Sequence, residues 1–322
     1  MDNTILDVRH LQTYFFTRYG VVKAVDGISF GLRKGETLCL VGESGCGKTA
    51  TALSILRLVD TPPGRIVGGE IRYHGEDLLR CSRDRLRQIR GNRIAMIFQD
   101  PQSSLNPVFT VGDQIAEPIR LHLGLKPQQA AEKATKLMGQ AGIPRAGERM
   151  KDYPHQFSGG MKQRVMIAAA LSCDPEILIA DEPTTALDTT IKAQILDIFQ
   201  DLKQQRDMSV LFITHDLGTV AGIADRIIVM YGGRLAEAGT IFDIFDQPRH
   251  PYTLGLINCL PSISEHRERL TPITGTIPSL IEPPQGCIFN PRCGQRLPVC
   301  SREQPGEIVI SGEHIVACHL YS

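Results

Sequence analysis

Apolar residues come in short uninterrupted runs at residues 38–41, 94–98, 177–180, 210–214 and 227–230. Runs this short, without polar alternation and spaced by helix-length stretches, predict buried parallel strands in an α/β sheet covered on both faces. Residues 11–16 and 21–30 alternate instead, which predicts antiparallel β with one wet face. Between residues 101 and 156 the texture becomes helix-like, rich in Ala, Gln, Lys and Leu and punctuated by Pro107, Pro118, Pro127, Pro144 and Pro154. This predicts a helical subdomain, about 101–165, inserted into the sheet domain. After about residue 246 regular patterns fade and prolines gather at 248, 251, 261, 272, 278, 283, 284, 291 and 298. The expected organisation is therefore a main domain over 1–245 and a small Cys-rich appended domain over 246–322, with no internal repeat or low-complexity tract.

The first buried run leads straight into Gly42-Glu43-Ser44-Gly45-Cys46-Gly47-Lys48-Thr49. A strand, a glycine loop of this spacing and a following helix form a phosphate cradle. The glycines let successive N–H groups turn inward toward the β- and γ-phosphates, Lys48 adds a point charge, and Thr49 offers a hydroxyl to Mg²⁺. A second acidic element is then required, and the run at 177–180 ends in Asp181-Glu182-Pro183. Asp181 is expected to serve the metal and Glu182 the attacking water, strand alternation sending adjacent carboxylates to opposite sides; the plainer reading is a pair of helix-capping acids. Ser158-Gly159-Gly160-Met161 precedes an Ala-rich helix for which Ser158 is the expected N-cap, so the chain holds a second anion-ready helix start. With one phosphate tail already wrapped, that second cradle is expected to close over a nucleotide held by another subunit.

Composition narrows the setting. The 322 residues are 42% hydrophobic and 22% charged, with 35 Lys plus Arg balancing 35 Asp plus Glu. No nucleic-acid partner is expected from such a balance. No apolar run approaches the ~18 residues that span a bilayer, and Met1-Asp2-Asn3-Thr4 lacks the order of a secretion signal. A cytosolic chain is expected, any membrane role coming through a partner. Nine cysteines in that compartment argue for buried thiols or metal ligation over disulfides.

In their order these parts resemble the ATP-binding cassette (ABC) family over residues 5–245: residues 42–49 its Walker A loop, Gln99 its Q-loop, Phe157-Ser158-Gly159-Gly160-Met161 its signature, Asp181-Glu182 its Walker B end, Ala186-Leu187-Asp188 its D-loop and His215 its switch histidine. Phe157 and Met161 depart from the commoner Leu and Gln, while the Ser-Gly-Gly core is intact. The resemblance implies a P-loop, RecA-like nucleotide-binding domain with antiparallel β and helical subdomains, and head-to-tail pairing that completes each ATP site. It implies catalytic roles for Glu182, His215 and Gln99. It implies nucleotide contacts from Gly42, Glu43, Ser44, Gly45, Cys46, Gly47, Lys48, Thr49, Ala50, Ser158, Gly159, Gly160 and Asp188, and Mg²⁺ contacts from Thr49, Gln99 and Asp181. Phe15 lies where the family stacks an aromatic on adenine, although core packing beside Leu11 and Thr13 is the equal alternative.

The stretch Phe98-Gln99-Asp100-Pro101-Gln102-Ser103-Ser104-Leu105-Asn106-Pro107 and the later His250-Pro251-Tyr252-Thr253 resemble the ATPase subunits of dipeptide and oligopeptide importers, a pattern shared by nickel and glutathione importers. That resemblance implies two transmembrane permease subunits, a second homologous ATPase subunit (heterodimer or homodimer), an extracytoplasmic substrate-binding protein, and a peripheral place on the cytoplasmic face of the inner membrane. The helical insert would receive the permeases' coupling helices. A soluble cassette ATPase acting on nucleic acid or ribosomes is the rival, and such chains usually carry two cassettes or a long coiled-coil insert. Cys287, Cys293, Cys300 and Cys318 stand as C-x5-C-x6-C-x17-C. Relatives in the importer group carry a [4Fe–4S] cluster at such a quartet; zinc and plain thiols are the alternatives. Cys39, Cys81, Cys173 and Cys259 read as ordinary thiols. Cys46, inside the loop and near Lys48, is expected to have a lowered pKa, with alkylation blocking hydrolysis.

Overall fold

The structure, a computed structural model, describes residues 3–185, 188–260 and 273–322. The chain divides into two compact units, Met1–Arg80 with Ile213–Ser322, and Cys81–Phe212.

The N-terminal stretch of the first unit supplies β1 (Thr4–Thr17), β2 (Gly20–Arg33), β3 (Thr37–Val41), α1 (Lys48–Ile55), β4 (Gly64–Tyr73) and the two-residue β5 (Glu76–Asp77). Antiparallel pairing gives a sheet in the order β2-β1-β4-β5. Alternation places Leu6, Val8, Leu11, Val25, Ile28, Leu32 and Ile71 in full burial, as the one-sided patterning predicts. Strand β4 was not foreseen. Its Gly64, Gly68 and Gly69 break any apolar alternation, yet Phe15 pairs with Gly64 and Gln12 with Gly68, beside a register shift in β1.

The second unit runs through α2 (Arg83–Ile89), β6 (Ile94–Ile97), α3 (Pro101–Ser104), α4 (Val111–Leu123), α5 (Pro127–Gln140), α6 (Ala146–Arg149), α7 (Gly159–Ala170), β7 (Ile177–Asp181) and α8 (Thr189–Arg206), with β8 (Ser209–Thr214) reaching its end. β6 and β7 pair in parallel. Helix α4 buries Val111, Ile115, Ala116 and Ile119, and α5 buries Ala130, Ala134, Leu137 and Met138, the i, i+4 stripes that let α4, α5 and α7 pack on one another. Thr110 caps α4 by accepting from the Asp113 N–H at 3.1 Å, and Gly124 ends it in the left-handed conformation at φ 64°.

The C-terminal part of the first unit holds α9 (Leu217–Val220), β9 (Arg226–Tyr231), β10 (Arg234–Thr240), α10 (Ile241–Asp246), α11 (Pro251–Asn258), β11 (Ile308–Ser311) and β12 (His314–Val316). β9 lies parallel to β3 and antiparallel to β10. The Pro-rich last quarter adds its two strands to this sheet, β12 pairing with β10 and β11 with β12. A segment with few apolar residues thus gains a core by borrowing an edge. Pro261 and Pro272 lie outside the described residues. All five apolar runs are strands, and β3 and β7 are buried at every position.

Candidate functional site

β3 delivers the glycine loop into α1. Gly47, at φ 103°, is the N-cap of α1, and a Cβ there would collide with the Ala24 carbonyl. A Cβ at Gly42 would strike the Met230 carbonyl and the Cys46 thiol. Both glycines are therefore fixed by close backbone approach. Lys48 is buried, and its Nζ donates to the carbonyls of Gly42 at 2.7 Å and Glu43 at 3.0 Å. Ser44, Gly45 and Thr49 are exposed, while Ala50 is buried. The loop thus keeps its cation tucked beneath its own carbonyls and its small residues toward solvent.

Cys46 does not follow its expectation. Its thiol is fully buried, and desolvation pushes the pKa up despite Lys48 Nζ 3.7 Å away. Burial of the thiolate outweighs the lysine's charge and the helix start.

Glu43 is gripped from the last quarter of the chain. Its N–H donates to the Tyr252 hydroxyl at 2.9 Å, and its carboxylate takes both arms of Arg292, at 2.6 and 3.0 Å. Tyr252 is itself wedged edge-on to Tyr231 and tilted against Phe289. Sequence reading missed both contacts. Tyr252 carries only a resemblance in its sequence context, and nothing local ties Arg292 to a residue 249 positions away.

In the second unit β7 presents Asp181, which is buried. Glu182 is not on the strand: its φ is 47°, a left-handed turn costly for a residue with a Cβ. The turn, and not strand alternation, separates the two carboxylates. Glu182 Oε2 accepts from Gln99 Nε2 at 3.1 Å and from the Thr185 hydroxyl at 2.8 Å. Thr185 escaped the sequence reading. Ala186 and Leu187 lie outside the described residues, while Asp188 caps α8 by accepting from the Ile191 N–H at 2.9 Å. Ser158 caps α7 through the Met161 N–H at 3.4 Å, and Ser158 and Gly159 are exposed. Phe157 is buried beneath the Arg149 guanidinium, 5.4 Å from the ring centroid.

His215 is exposed just beyond β8, where Asp216 caps α9 by accepting from the Gly218 N–H at 2.8 Å. Phe15 is half-buried with its ring edge over Gly64. Thr49 in the first unit carries a hydroxyl, and Gln99 and Asp181 in the second an amide oxygen and a carboxylate, each an oxygen donor of the kind Mg²⁺ takes.

The C-terminal thiols leave a further expectation without support. Cys287, Cys293, Cys300 and Cys318 are free, and each of Cys287, Cys293 and Cys318 is raised by burial first and by neighbouring members of the quartet second, Cys287 to about 11. Backbone bonds bring the segments together, the Cys287 N–H donating to the Cys300 carbonyl at 2.8 Å. Among the described residues, however, no three His, Cys, Asp or Glu side chains converge as a metal's ligand set. The cluster expectation finds no support in this geometry: four cysteines in one short stretch of chain need not aim their sulfurs at one point.

Comparison with known proteins agrees with the loop geometry. The family described as ABC transporter matches residues 25–185, and that described as oligopeptide/dipeptide transporter, C-terminal region, matches residues 236–300. The chain is 51% identical to the dipeptide transport ATP-binding protein DppD of Bacillus subtilis (strain 168), over 98% of this chain and 94% of the relative. It is 47% identical to the oligopeptide transport ATP-binding protein AppD of the same organism, over 99% of this chain and 97% of that one. Among solved structures, the dimeric structure of MJ0796, a bacterial ABC transporter cassette, is similar with a TM-score of 0.66 at 25% identity, covering 73% of this chain and 98% of its own.

Proposed function

Since the chain belongs to the ABC transporter family of ATP-binding proteins and carries that family's oligopeptide/dipeptide C-terminal region, we propose that it is the ATP-hydrolysing subunit of a di- or oligopeptide importer. The observation that carries this reading is the presence of both matched regions on one chain that aligns end to end with dipeptide and oligopeptide transport ATP-binding relatives.

The roles follow from the local chemistry. The loop at 42–49 wraps the triphosphate, Lys48 leaving its carbonyl partners for phosphate oxygens, and Phe15 stacks on adenine. Mg²⁺, when bound, would be held by Thr49, Gln99 and Asp181 and would draw charge from the β- and γ-phosphates. Glu182 orients water for in-line attack at the γ-phosphorus; the new O–P bond forms as the bond to the β,γ-bridging oxygen breaks. Positioning is the main demand of such a step, and Gln99 and Thr185 meet it by both donating to Oε2 of Glu182, which fixes one carboxylate oxygen. Lys48 and His215 take up charge on the departing phosphoryl group. Ser158, Gly159 and Gly160 donate to a nucleotide on a second, homologous ATPase subunit docked head to tail, next to the Asp188 turn.

No helix among the described residues is long and apolar enough to cross a membrane. Attachment to the cytoplasmic face would run through two permease subunits, fed by an extracytoplasmic binding protein. Exposed Phe98, Val108, Phe109 and Leu121 in the second unit offer apolar contacts for such partners. The decisive test is Glu182→Gln: ATP binding is retained, hydrolysis falls on the order of a hundredfold or more, and ATP-bound subunit pairs accumulate in sizing and light-scattering measurements. Undiminished turnover, or no ATP-dependent pairing, sinks the motor reading. Peptide uptake by the assembled complex, set against nickel and glutathione, decides the cargo.

A further inference from the structure

Glu43 is an odd residue for a loop built to hold an anion. A carboxylate there repels a triphosphate unless something cancels it and turns it aside. The structure does both with one side chain. Arg292 meets Glu43 as a two-armed fork, Nη1 to Oε2 at 2.6 Å and Nη2 to Oε1 at 3.0 Å. Only 4% of the Arg292 side chain is exposed, against 30% for Glu43. The guanidinium is pinned on its other edges, Nε donating to the Thr274 carbonyl at 2.9 Å and Nη1 to the Tyr231 hydroxyl at 3.3 Å. Every polar group of Glu43 is engaged, the N–H by Tyr252, the carbonyl by Lys48 and the carboxylate by Arg292. An isolated surface ion pair contributes little; a bidentate fork from a buried arginine onto the loop itself constrains both the charge and the position of Glu43.

We propose that Arg292, acting through Glu43, is a positioning residue of the nucleotide loop, so that the C-terminal region sets affinity for the phosphate tail by neutralising a charge that would otherwise oppose it. This rests on the reading of residues 42–49 as a triphosphate cradle. The consequence is specific. A merely structural contact would weaken all ligands alike, whereas an electrostatic one weakens each ligand in proportion to its phosphate charge.

The test uses the purified full chain and titrates ATP, ADP and AMP by calorimetry or a fluorescent analogue. Arg292→Gln weakens ATP about tenfold, ADP less and AMP least, the loss shrinking in high salt. Adding Glu43→Gln to Arg292→Gln restores ATP affinity to within about twofold of the wild type, since the repelling charge has gone. Should Arg292→Gln fail to fold, Glu43→Gln alone carries the test: with Arg292 unopposed, ATP binds a few-fold tighter and AMP is unmoved. Equal losses for the three ligands, no recovery in the double variant, or a Glu43→Gln chain no tighter for ATP overturns the proposal. A wild-type chain that binds no ATP overturns the cradle reading itself, a different result from wild-type binding that Arg292→Gln leaves untouched.

Discussion

Two glycine-bearing loops in this chain each feed a helix, and they are held in opposite ways. The loop before α1 is braced from beneath: Lys48 and Cys46 are buried in it, Tyr252 and Arg292 grip Glu43, and Gly47 and Gly42 lie close against the backbone of Ala24 and Met230. The loop before α7 is anchored at Phe157, buried beneath Arg149, and capped by Ser158, but Ser158 and Gly159 themselves stand open to solvent. A braced loop is a finished receptor whose N–H groups are fixed before the ligand arrives. The open one presents Ser158 and Gly159 to solvent at a helix start, which suits a site completed by a second subunit. The difference teaches that similar glycine strings can be a cradle or a lid, and burial tells which.

The contrast breaks first at Lys48. Lys48→Ala removes the only buried cation of the braced loop among its described residues and leaves the Gly42 and Glu43 carbonyls without it. ATP hydrolysis should fall at least about a hundredfold, with nucleotide affinity falling alongside in equilibrium titration. Turnover that survives would mean the loop is not the receptor.

The brace itself can be loosened by acid. His250 Nδ1 accepts from the Tyr252 N–H at 3.0 Å, and the His250 N–H donates to Glu237, whose carboxylate also meets His314 at 2.7 Å. Burial depresses the His250 pKa from 6.5 to about 4. The sign follows from proton uptake: between those values the unfolded chain binds a proton that the folded chain refuses, so stability is full above pH 6.5 and drains away as pH falls toward 4. From pH 7 to pH 5 the loss attributable to His250 is roughly 2 kcal/mol. His250→Asn keeps an acceptor for Tyr252 and should flatten that slope in urea titrations. Identical slopes in the two proteins would assign the acid sensitivity elsewhere.

A finer cut separates the folding role of the open loop from its proposed service to a partner. A Cβ on Gly160 would lie 2.9 Å from Ile191 Cγ2, whereas one on Gly159 meets nothing within 4 Å. Gly160→Ala should therefore cost about 1–3 kcal/mol of stability, seen as a lowered denaturation midpoint. Gly159→Ala should leave that midpoint unmoved and yet cut ATPase activity of the assembled pair about tenfold, by crowding donors meant for another subunit's phosphate. If activity also holds, the open loop is only a helix start.

What the sequence made legible was local. An unbroken apolar run announced β3 because both its faces are covered, and glycine spacing announced the loop because only glycine tolerates the approach of Ala24 and Met230. The acidic pair was legible in kind but not in form: alternation gave two directions, and the chain achieves them with a left-handed Glu182. Strand β4 was hidden by its glycines. The Arg292 to Glu43 fork was invisible, since contacts across 249 residues leave no mark on spacing. The thiol quartet shows the converse, four cysteines close along the chain that form no ligand set among the described residues.

Cys46 offers the gentlest probe of the brace, because its expected effect is none. A thiol in an exposed, cationic loop would alkylate readily at pH 8, since the thiolate is the nucleophile and Lys48 would favour it. In the braced loop the same thiol is sealed, and burial raises its pKa past what the lysine can recover. Both the thiolate population and the reagent's path are thereby reduced. Iodoacetamide on the native chain at pH 8, read by peptide mass mapping, should label the partly exposed Cys81 and Cys259 while Cys46 stays unmodified. Hydrolysis should be unchanged after that treatment, with or without ATP present during it. Labelling of Cys46 at the pace of Cys81, with activity lost and ATP protective, would show that the loop opens far more often than its packing allows, and the distinction between a finished receptor and an open lid would have to be redrawn.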